Sequence, residues 1–288
     1  MRKPSGVLAG IILTILSGLA LATMDTGAKY LTGRLPVLEV VWARYFFHAV
    51  LMTAWLAKTR GTTFLKTRRP LLQLARGGAL LGATITMYFG LSKVPLADAT
   101  AVMFFAPVLV TVLSVVFLGE RIGLPRIAAV LAGFGGVLLI VRPGFADTDP
   151  YLLLPLGAAV IVSLYYLLTR ALSGPEENAA TLFHTTAVGA VVLSFAVLVV
   201  WETPSTTEFA LMLGIGALGA LGHFCLVQGF AYASASTLTP FLYAQVLFAG
   251  IYSVVLIGDP LRPNLVIGAA ILIASGLTIW WRENRRPR

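Results

Sequence analysis

The chain has 288 residues, of which 58% are apolar and only 11% are charged, and its mean hydropathy is +0.89. Soluble domains carry about 25% charged residues, so this composition excludes a disordered chain, a coiled coil and a soluble enzyme. The formal net charge of +9 does not indicate nucleic-acid binding, because the basic residues lie between apolar runs and in the C-terminal tail. The composition therefore predicts an integral membrane protein.

Ten apolar runs, each about long enough to cross a bilayer as a helix, follow one another along the chain. They cover Val7–Met24, Val37–Leu56, Leu71–Leu91, Leu96–Leu118, Leu124–Val141, Leu152–Leu172, Ala180–Val200, Phe209–Ala231, Leu238–Ile257 and Leu265–Trp281. The first run has features of a secretion signal, but it is long for one and nine runs follow it. The sequence thus predicts an all-α membrane protein of ten transmembrane helices, the first of them retained.

Lysine and arginine residues are unequally divided between the two sides that ten spans define. If the N-terminus is cytoplasmic, fifteen of them fall in cytoplasmic segments, five fall on the opposite side, and Arg44 lies within a span. Positively charged loops favour the cytoplasm. We therefore predict that both termini are cytoplasmic.

The two halves of the chain carry the same features in the same order. At an offset of 139 residues, Gly77 aligns with Gly216, Gly90 with Gly229, Thr100 with Thr239 and Gly119-Glu120 with Gly258-Asp259. A repeat of five spans enters the membrane from the opposite side on its second pass, as in many secondary transporters. We predict two inverted five-helix repeats, residues 1–145 and 146–288.

The first repeat also contains a recognisable series of short motifs. The segments Pro95-Leu96-Ala97-Asp98, Phe105-Ala106-Pro107-Val108 and Leu118-Gly119-Glu120-Arg121 resemble the repeat unit of the drug/metabolite transporter superfamily, EamA type, and in particular its bacterial amino-acid exporters, including the aromatic amino-acid exporter group. The second half departs from the pattern, since Gln245-Val246 stands in place of Ala106-Pro107. The resemblance implies export or import of small metabolites, with Glu120 at a signature position for closing contacts. Its exporter branch favours an alternating-access exporter of amino acids or related small metabolites in the bacterial inner membrane, and an exporter or importer of other solutes is the alternative.

Four charged residues lie in or beside the first two spans, where charge is costly. If these spans form an antiparallel hairpin that turns near Arg34, Asp25 is level with Arg44, and Lys29 is level with Glu39. We predict both pairings. The deeper pair, Asp25 and Arg44, is interpreted as a structural contact, with a gating or proton-coupling role as the alternative.

With these charges paired, the solute is expected to meet mostly uncharged groups. Tyrosine, amide, hydroxyl and imidazole groups could supply the polar contacts and aromatic faces that a small zwitterion requires. The candidate substrate-binding residues are Tyr88, Thr100, Phe104, Tyr165, His223, Tyr243 and Gln245. Pro107 predicts a bend in the middle of span four. Because the corresponding proline of span nine is displaced to Pro240, the two bends are expected to differ.

Other functions and ligands are weighed against an amino-acid exporter. Nucleosides, S-adenosyl metabolites and cationic drugs would also suit such a cavity, and a passive channel or an intramembrane transferase are further alternatives. The chain has one cysteine, Cys225, and neither an ATP-binding loop nor a cysteine–histidine metal motif. We expect no cofactor, no metal and no enzyme activity, and only a small-molecule solute and the lipid bilayer as partners. The oligomeric state stays open, a monomer included.

Overall fold

The computed structural model describes residues 4–118, 123–141, 149–172, 178–232, 238 and 241–285. Eleven α-helices make up most of these residues: α1 (Pro4–Thr32), α2 (Val37–Arg60), α3 (Pro70–Leu91), α4 (Leu96–Met103), α5 (Ala106–Leu118), α6 (Leu124–Val141), α7 (Leu153–Leu172), α8 (Asn178–Val200), α9 (Thr206–Tyr232), α10 (Ala244–Tyr252) and α11 (Pro263–Arg285). Short 3-10 turns cover Thr63–Leu65 and Pro150–Leu152, and a π-helical turn covers Ser253–Ile257.

The ten predicted spans are confirmed as helices. Span four consists of α4 and α5, and span nine contains α10 and the π-helical turn that follows it. Among the described residues, six helical segments are long and apolar enough to cross a membrane, and shorter apolar helices accompany them. Large apolar side chains on the outer surface, such as Leu71 and Val199, are 80% and 87% exposed. Such exposure suits contact with lipid tails, which are as apolar as leucine.

Proline and glycine residues set several of the helix ends. Pro36 and Pro95 directly precede α2 and α4, and Pro70 opens α3, where a missing N–H costs no helical hydrogen bond. Gly61 follows α2 with a φ of 61°, and Gly258 follows the π-helical turn with a φ of 83°. Both are in the left-handed region that glycine adopts without a steric penalty.

The two halves pack on each other reciprocally. Helix α1 packs on α9, and its counterpart in the second half, α7, packs on α3, the counterpart of α9. Counterparts also pack directly on each other, because α2 contacts α8, α4 contacts α10 and α6 contacts α11. This exchange of partners is what a two-fold relation between inverted repeats requires.

Close glycine contacts show the same reciprocity in detail. A Cβ atom on Gly77 would lie 2.8 Å from Cβ of Val188, and one on Gly216 would lie 2.4 Å from Cβ of Phe47. The two glycines align at the offset of 139, and the two partners align at an offset of 141. Small residues therefore bring equivalent helix pairs together in both halves of the interface.

The expectation that spans one and two pack side by side is wrong. Helix α1 packs mainly on α9 and α10, whereas α2 packs mainly on α8 and α9. The reason is a row of small residues on α9 that allows α1 to approach closely. Three glycines of this row meet α1: Gly219 at Met24, Gly222 at Leu21 and Gly229 at Thr14.

The interruptions of spans four and nine lie at equivalent positions, and the expectation of unequal bends stays a prediction. Span four is interrupted at Phe104 and Phe105, and span nine at Tyr243 directly before α10. Phe104 and Tyr243 align at the offset of 139, so both repeats break at the same position. Pro107 is the second residue of α5 and has no N–H for the carbonyl of Met103. Pro240 lies outside the described residues.

The helices define two ends of the molecule. We call the end with the start of α1 the near end and the end with the connection between α1 and α2 the far end. The prediction that the near end is cytoplasmic stays a prediction. The proposed division of the repeats between residues 145 and 146 lies outside the described residues.

Candidate functional site

A central polar site lies where α1, α2, α3 and α10 meet, and both halves contribute to it. Asp25 of α1 is buried, and its Oδ2 accepts a hydrogen bond from Nε2 of Gln245 at 3.3 Å. Arg44 of α2 donates from Nη1 to Oγ1 of Thr84 at 3.3 Å, and its guanidinium carbon lies 5.4 Å from the ring centre of Tyr88. Four predicted site residues, Asp25, Arg44, Tyr88 and Gln245, are thus brought together.

The two predicted ion pairs do not form as expected. Asp25 and Arg44 lie within electrostatic range of each other but make no direct contact, because each has its own polar partner. The predicted contact between Lys29 and Glu39 is wrong. The Lys29 ammonium donates to the carbonyls of Leu91 and Val94 at 2.7 and 2.8 Å.

Glu39 finds a different partner at the far end. Its Oε2 accepts a hydrogen bond from the backbone N–H of Glu202 at 3.0 Å, between α8 and α9. Both predicted pairings assumed that α1 and α2 are adjacent, and the insertion of α9 separates them. The roles proposed for Asp25 and Arg44 do not depend on that adjacency and stay predictions.

A cavity of about 40 Å³ adjoins the central site on the side of α2 and continues towards the near end. It is lined by Arg44, Tyr45, His48, Arg76, Leu80, Tyr165, Leu182, Thr185, Thr186 and His223. The rings of His48 and His223 stack with centres 5.4 Å apart. Two predicted residues, Tyr165 and His223, therefore line one cavity. The lining also contains two arginines, Arg44 and Arg76, and neither was among the predicted substrate-binding residues.

Arg76 is the functional candidate that sequence reasoning missed. It was one of the fifteen basic residues counted as cytoplasmic, although it falls within the predicted span Leu71–Leu91. The structure places it in α3 with only 3% of the residue exposed. Its Nε donates to Oγ1 of Thr169 at 2.7 Å, its Nη1 donates to the carbonyl of Thr181 at 3.0 Å, and its Nη2 donates to the hydroxyl of Tyr165 at 3.0 Å. The sequence did contain a signal for this burial: proline commonly opens helices, and Arg76 lies six residues after Pro70, which opens α3.

The remaining predicted binding residues lie at the interruption of α4 and α5. The rings of Phe104 and Tyr243 pack with centres 5.7 Å apart across the interface between the halves. The hydroxyls of Thr100 and Tyr243 are buried and have no hydrogen-bond partner among the described residues, and the same holds for Tyr88. Unpaired buried hydroxyls are costly, so these three are available to a polar solute. Glu120 lies outside the described residues.

A second polar cluster joins the halves at the far end. Asp98, near the start of α4, forms an ion pair of 2.7 Å with Arg262, which precedes α11. Asp259 accepts hydrogen bonds from Oγ of Ser253 at 2.6 Å and from the backbone N–H of Leu96 at 3.3 Å. The start of α4 is buried there. We call Asp98, Arg262, Asp259 and Ser253 the far-end cluster.

Comparison with known proteins identifies the class to which this fold and site belong. The EamA-like transporter family matches residues 8–142 and again residues 150–281. The chain belongs to that family, and it is a multi-pass membrane transporter rather than an enzyme. The double match agrees with the two repeats.

Individual relatives transport different solutes. An S-adenosylmethionine uptake transporter of Rickettsia conorii is 29% identical over 96% of this chain and 94% of its own. A riboflavin transporter of Rhizobium johnstonii is 27% identical over 99% and 95%, and a pseudopaline exporter of Pseudomonas aeruginosa is 28% identical over 83% and 84%. The protein is thus similar to secondary transporters of small solutes, while the narrower resemblance to aromatic amino-acid exporters is not among these matches.

A solved structure shares the fold along the whole chain. This crystal structure superposes with a TM-score of 0.66 over 99% of this chain and 100% of its own. The sequence identity is 20%.

In the part of the chain that the structure describes, no three histidine, cysteine, aspartate or glutamate residues come together as a metal site.

Proposed function

We propose that this protein is a secondary transporter of the bacterial cytoplasmic membrane for amino acids or related metabolites that carry an α-amino-acid group. The observation that carries this proposal is the pair of separated, opposite charges in the central site. Asp25 and Arg44 interact at a distance without neutralising each other through contact. A buried charge needs a partner, and a zwitterion supplies one for each.

Each charged residue has the geometry to bind one group of such a solute. The carboxylate of Asp25 has one hydrogen-bond donor, Gln245, and keeps acceptor capacity for an ammonium group. Arg44 has five N–H donors and a single hydrogen-bonded acceptor, Thr84. Its planar guanidinium can therefore bind a carboxylate through two parallel hydrogen bonds.

The repeat architecture supports alternating access. The central site takes Asp25, Arg44 and Tyr88 from the first half and Gln245 from the second. A movement of one half against the other would expose that site to each side of the membrane in turn. Export is the direction predicted from the sequence. Because one relative is named an uptake transporter and another an exporter, the experiment measures both directions.

S-adenosylmethionine is the first solute to test, because it contains an α-amino-acid group and four of the relatives are named as its transporters. Riboflavin, the solute in the names of two other relatives, has neither an ammonium nor a carboxylate group. A riboflavin molecule would leave Asp25 and Arg44 without partners. The two solutes therefore separate the proposal from its main alternative.

The experiment is counterflow into proteoliposomes with labelled S-adenosylmethionine, methionine, phenylalanine and riboflavin, with and without a pH gradient. We expect saturable exchange of at least one amino-acid-bearing solute and its loss in Asp25→Asn and Arg44→Gln. Arg34→Gln is the matched control, because Arg34 is exposed and packs on the ring of Tyr30 at the far end. Saturable exchange of riboflavin alone, or unaltered exchange in both variants, would contradict the proposal. Flux that does not saturate would indicate a channel.

A further inference from the structure

The cavity beside the central site contains more positive charge than its surroundings balance. Arg44 and Arg76 both line it, and none of its ten lining residues is acidic. Asp25 is the carboxylate that interacts with Arg44, and it does so at a distance. Within the described ranges, neither arginine forms an ion pair. An unbalanced guanidinium inside a membrane protein is unfavourable unless another charge approaches it.

The hydrogen bonds of Arg76 hold its side chain in place without neutralising it. Every acceptor is a neutral group: Thr169, Gln73, the carbonyl of Thr181, Thr185 and Tyr165. Its Nη2 atom carries two N–H groups and has one acceptor, the hydroxyl of Tyr165. That hydroxyl accepts from Arg76 and can donate its own hydrogen. One N–H and one O–H are therefore available side by side.

The other walls of the cavity suit the same kind of ligand. His48 and His223 stack on one side, and their imidazole N–H groups are further donors. His223 lies within electrostatic range of both Arg44 and Arg76. The cavity volume of about 40 Å³ exceeds the roughly 10–15 Å³ that one water molecule needs. A small ion fits, whereas a whole metabolite does not fit without a conformational change.

We infer that this cavity is a binding site for a small anion, held by Arg76 and Tyr165, with Arg44 as the second arginine of its lining. This inference goes beyond the proposed function, since an α-amino-acid group would match Asp25 and Arg44 and leave Arg76 unbalanced. The anion is either a free inorganic ion such as chloride or an additional carboxylate of the solute. Both present the same chemistry, a single negative charge with oxygen or halide acceptors.

The test measures thermal unfolding of the purified, solute-free protein in detergent at constant ionic strength. Sodium chloride and sodium acetate are compared with the sodium salt of HEPES, because the whole HEPES anion is too large for the cavity volume. A site-specific anion raises the unfolding temperature in proportion to the logarithm of its concentration above Kd, by about 5 °C at a hundred times Kd. A rise with chloride identifies a free inorganic anion, and a rise with acetate alone identifies a carboxylate ligand. No rise with either salt overturns the inference.

A carboxylate placed on the cavity wall supplies a second, independent test. Leu182→Glu puts a negative charge beside the guanidinium groups, and Leu182→Gln is the matched neutral control. We expect the glutamate variant to unfold at the same or a higher temperature than the glutamine variant and to lose its response to the anion. If Leu182→Glu does not fold, Thr186→Asp and Thr186→Asn give the same comparison on the neighbouring turn.

Each of the two tests has an outcome that would overturn the inference. A lower unfolding temperature for the acidic variant than for its neutral control, or an unchanged anion response in both, overturns the inference. Neither readout involves transport. Failure of the proposed amino-acid specificity therefore leaves this result intact, and failure of the anion site leaves the counterflow result intact.

Discussion

The carboxylate of Asp98 and the guanidinium of Arg262 lie 2.7 Å apart and join the start of α4 to the start of α11 at the far end. Asp98 is 1% exposed, so its charge depends on this partner. The ion pair connects the first half of the chain to the second, beside the bonds that Asp259 makes to Ser253 and Leu96. The far end is therefore closed by polar contacts as well as by packing.

Asp98→Asn and Arg262→Gln should each destabilise the solute-free protein, by about 1.5–3 kcal/mol, since each removes a charged hydrogen bond. The double variant should be at least as stable as the less stable of the two single variants, because both substitutions remove the same interaction. Thermal unfolding of the four proteins in detergent gives the coupling energy. Independent, additive effects would show that the two residues do not act as a pair.

Gly77→Ala should destabilise the protein by about 1–3 kcal/mol, because inserting a methyl group into a tight contact forces helices apart. Its Cβ would lie 2.8 Å from two atoms of Val188 and 3.3 Å from the carbonyl of His184. Gly78→Ala is the matched control, because nothing lies within 4 Å of the Cβ position at Gly78. Equal unfolding temperatures for the two variants would refute close packing of α3 on α8.

Tyr88→Phe should leave the stability of the solute-free protein unchanged or raise it, because it removes a buried hydroxyl that has no described partner. The same substitution should raise KM for the transported solute by about two- to tenfold if the hydroxyl bonds to it, since such a bond is worth about 0.5–1.5 kcal/mol. Unfolding temperature and counterflow are measured on the same preparation. Tyr243→Phe provides a second instance with the same expected signs.

A lower unfolding temperature for Tyr88→Phe would instead assign the hydroxyl a structural hydrogen bond. Unchanged KM with unchanged stability would remove Tyr88 from the binding site. The two measurements therefore separate a role in packing from a role in solute binding.

Pro107→Ala should slow transport while leaving solute binding intact. The alanine N–H can reach the carbonyl of Met103, four residues earlier, and would close the interruption between α4 and α5. We expect a higher unfolding temperature together with a lower maximal rate of counterflow. A variant with unaltered maximal rate would show that this interruption does not take part in the movement of the halves.

The sequence predicted the helices well because their signal is local. Ten apolar runs became helices, and the aligned glycines such as Gly77 and Gly216 mark real, reciprocal contacts. These features depend on composition and spacing along one segment. The order of helices around the bundle depends on which helix surfaces are complementary in shape. The glycines of α9 decided it, because they allow α1 to pack closely against α9.

Residues of the site were predictable as individuals but not as partners. Asp25 and Arg44 were identified because charge is rare in apolar spans, yet their partners Gln245 and Thr84 come from helices that only the fold brings near. Arg76 falls within the predicted span Leu71–Leu91 but was counted with the cytoplasmic basic residues, so its burial was not predicted. Its burial depends on hydroxyls of α7 and α8 that lie about a hundred positions away along the chain.

The Asp98–Arg262 pair breaks the equivalence of the two ends. At the offset of 139, Thr237 occupies the position that matches Asp98, so the sequence offers no carboxylate there. Gly123 matches Arg262 at the same offset, so neither matching position can contribute to an ion pair. Each 1.4 kcal/mol that such a pair contributes changes an equilibrium about tenfold. The resting carrier should therefore spend most of its time with its far side shut, and solute arriving from the near side should find the larger share of molecules ready to accept it.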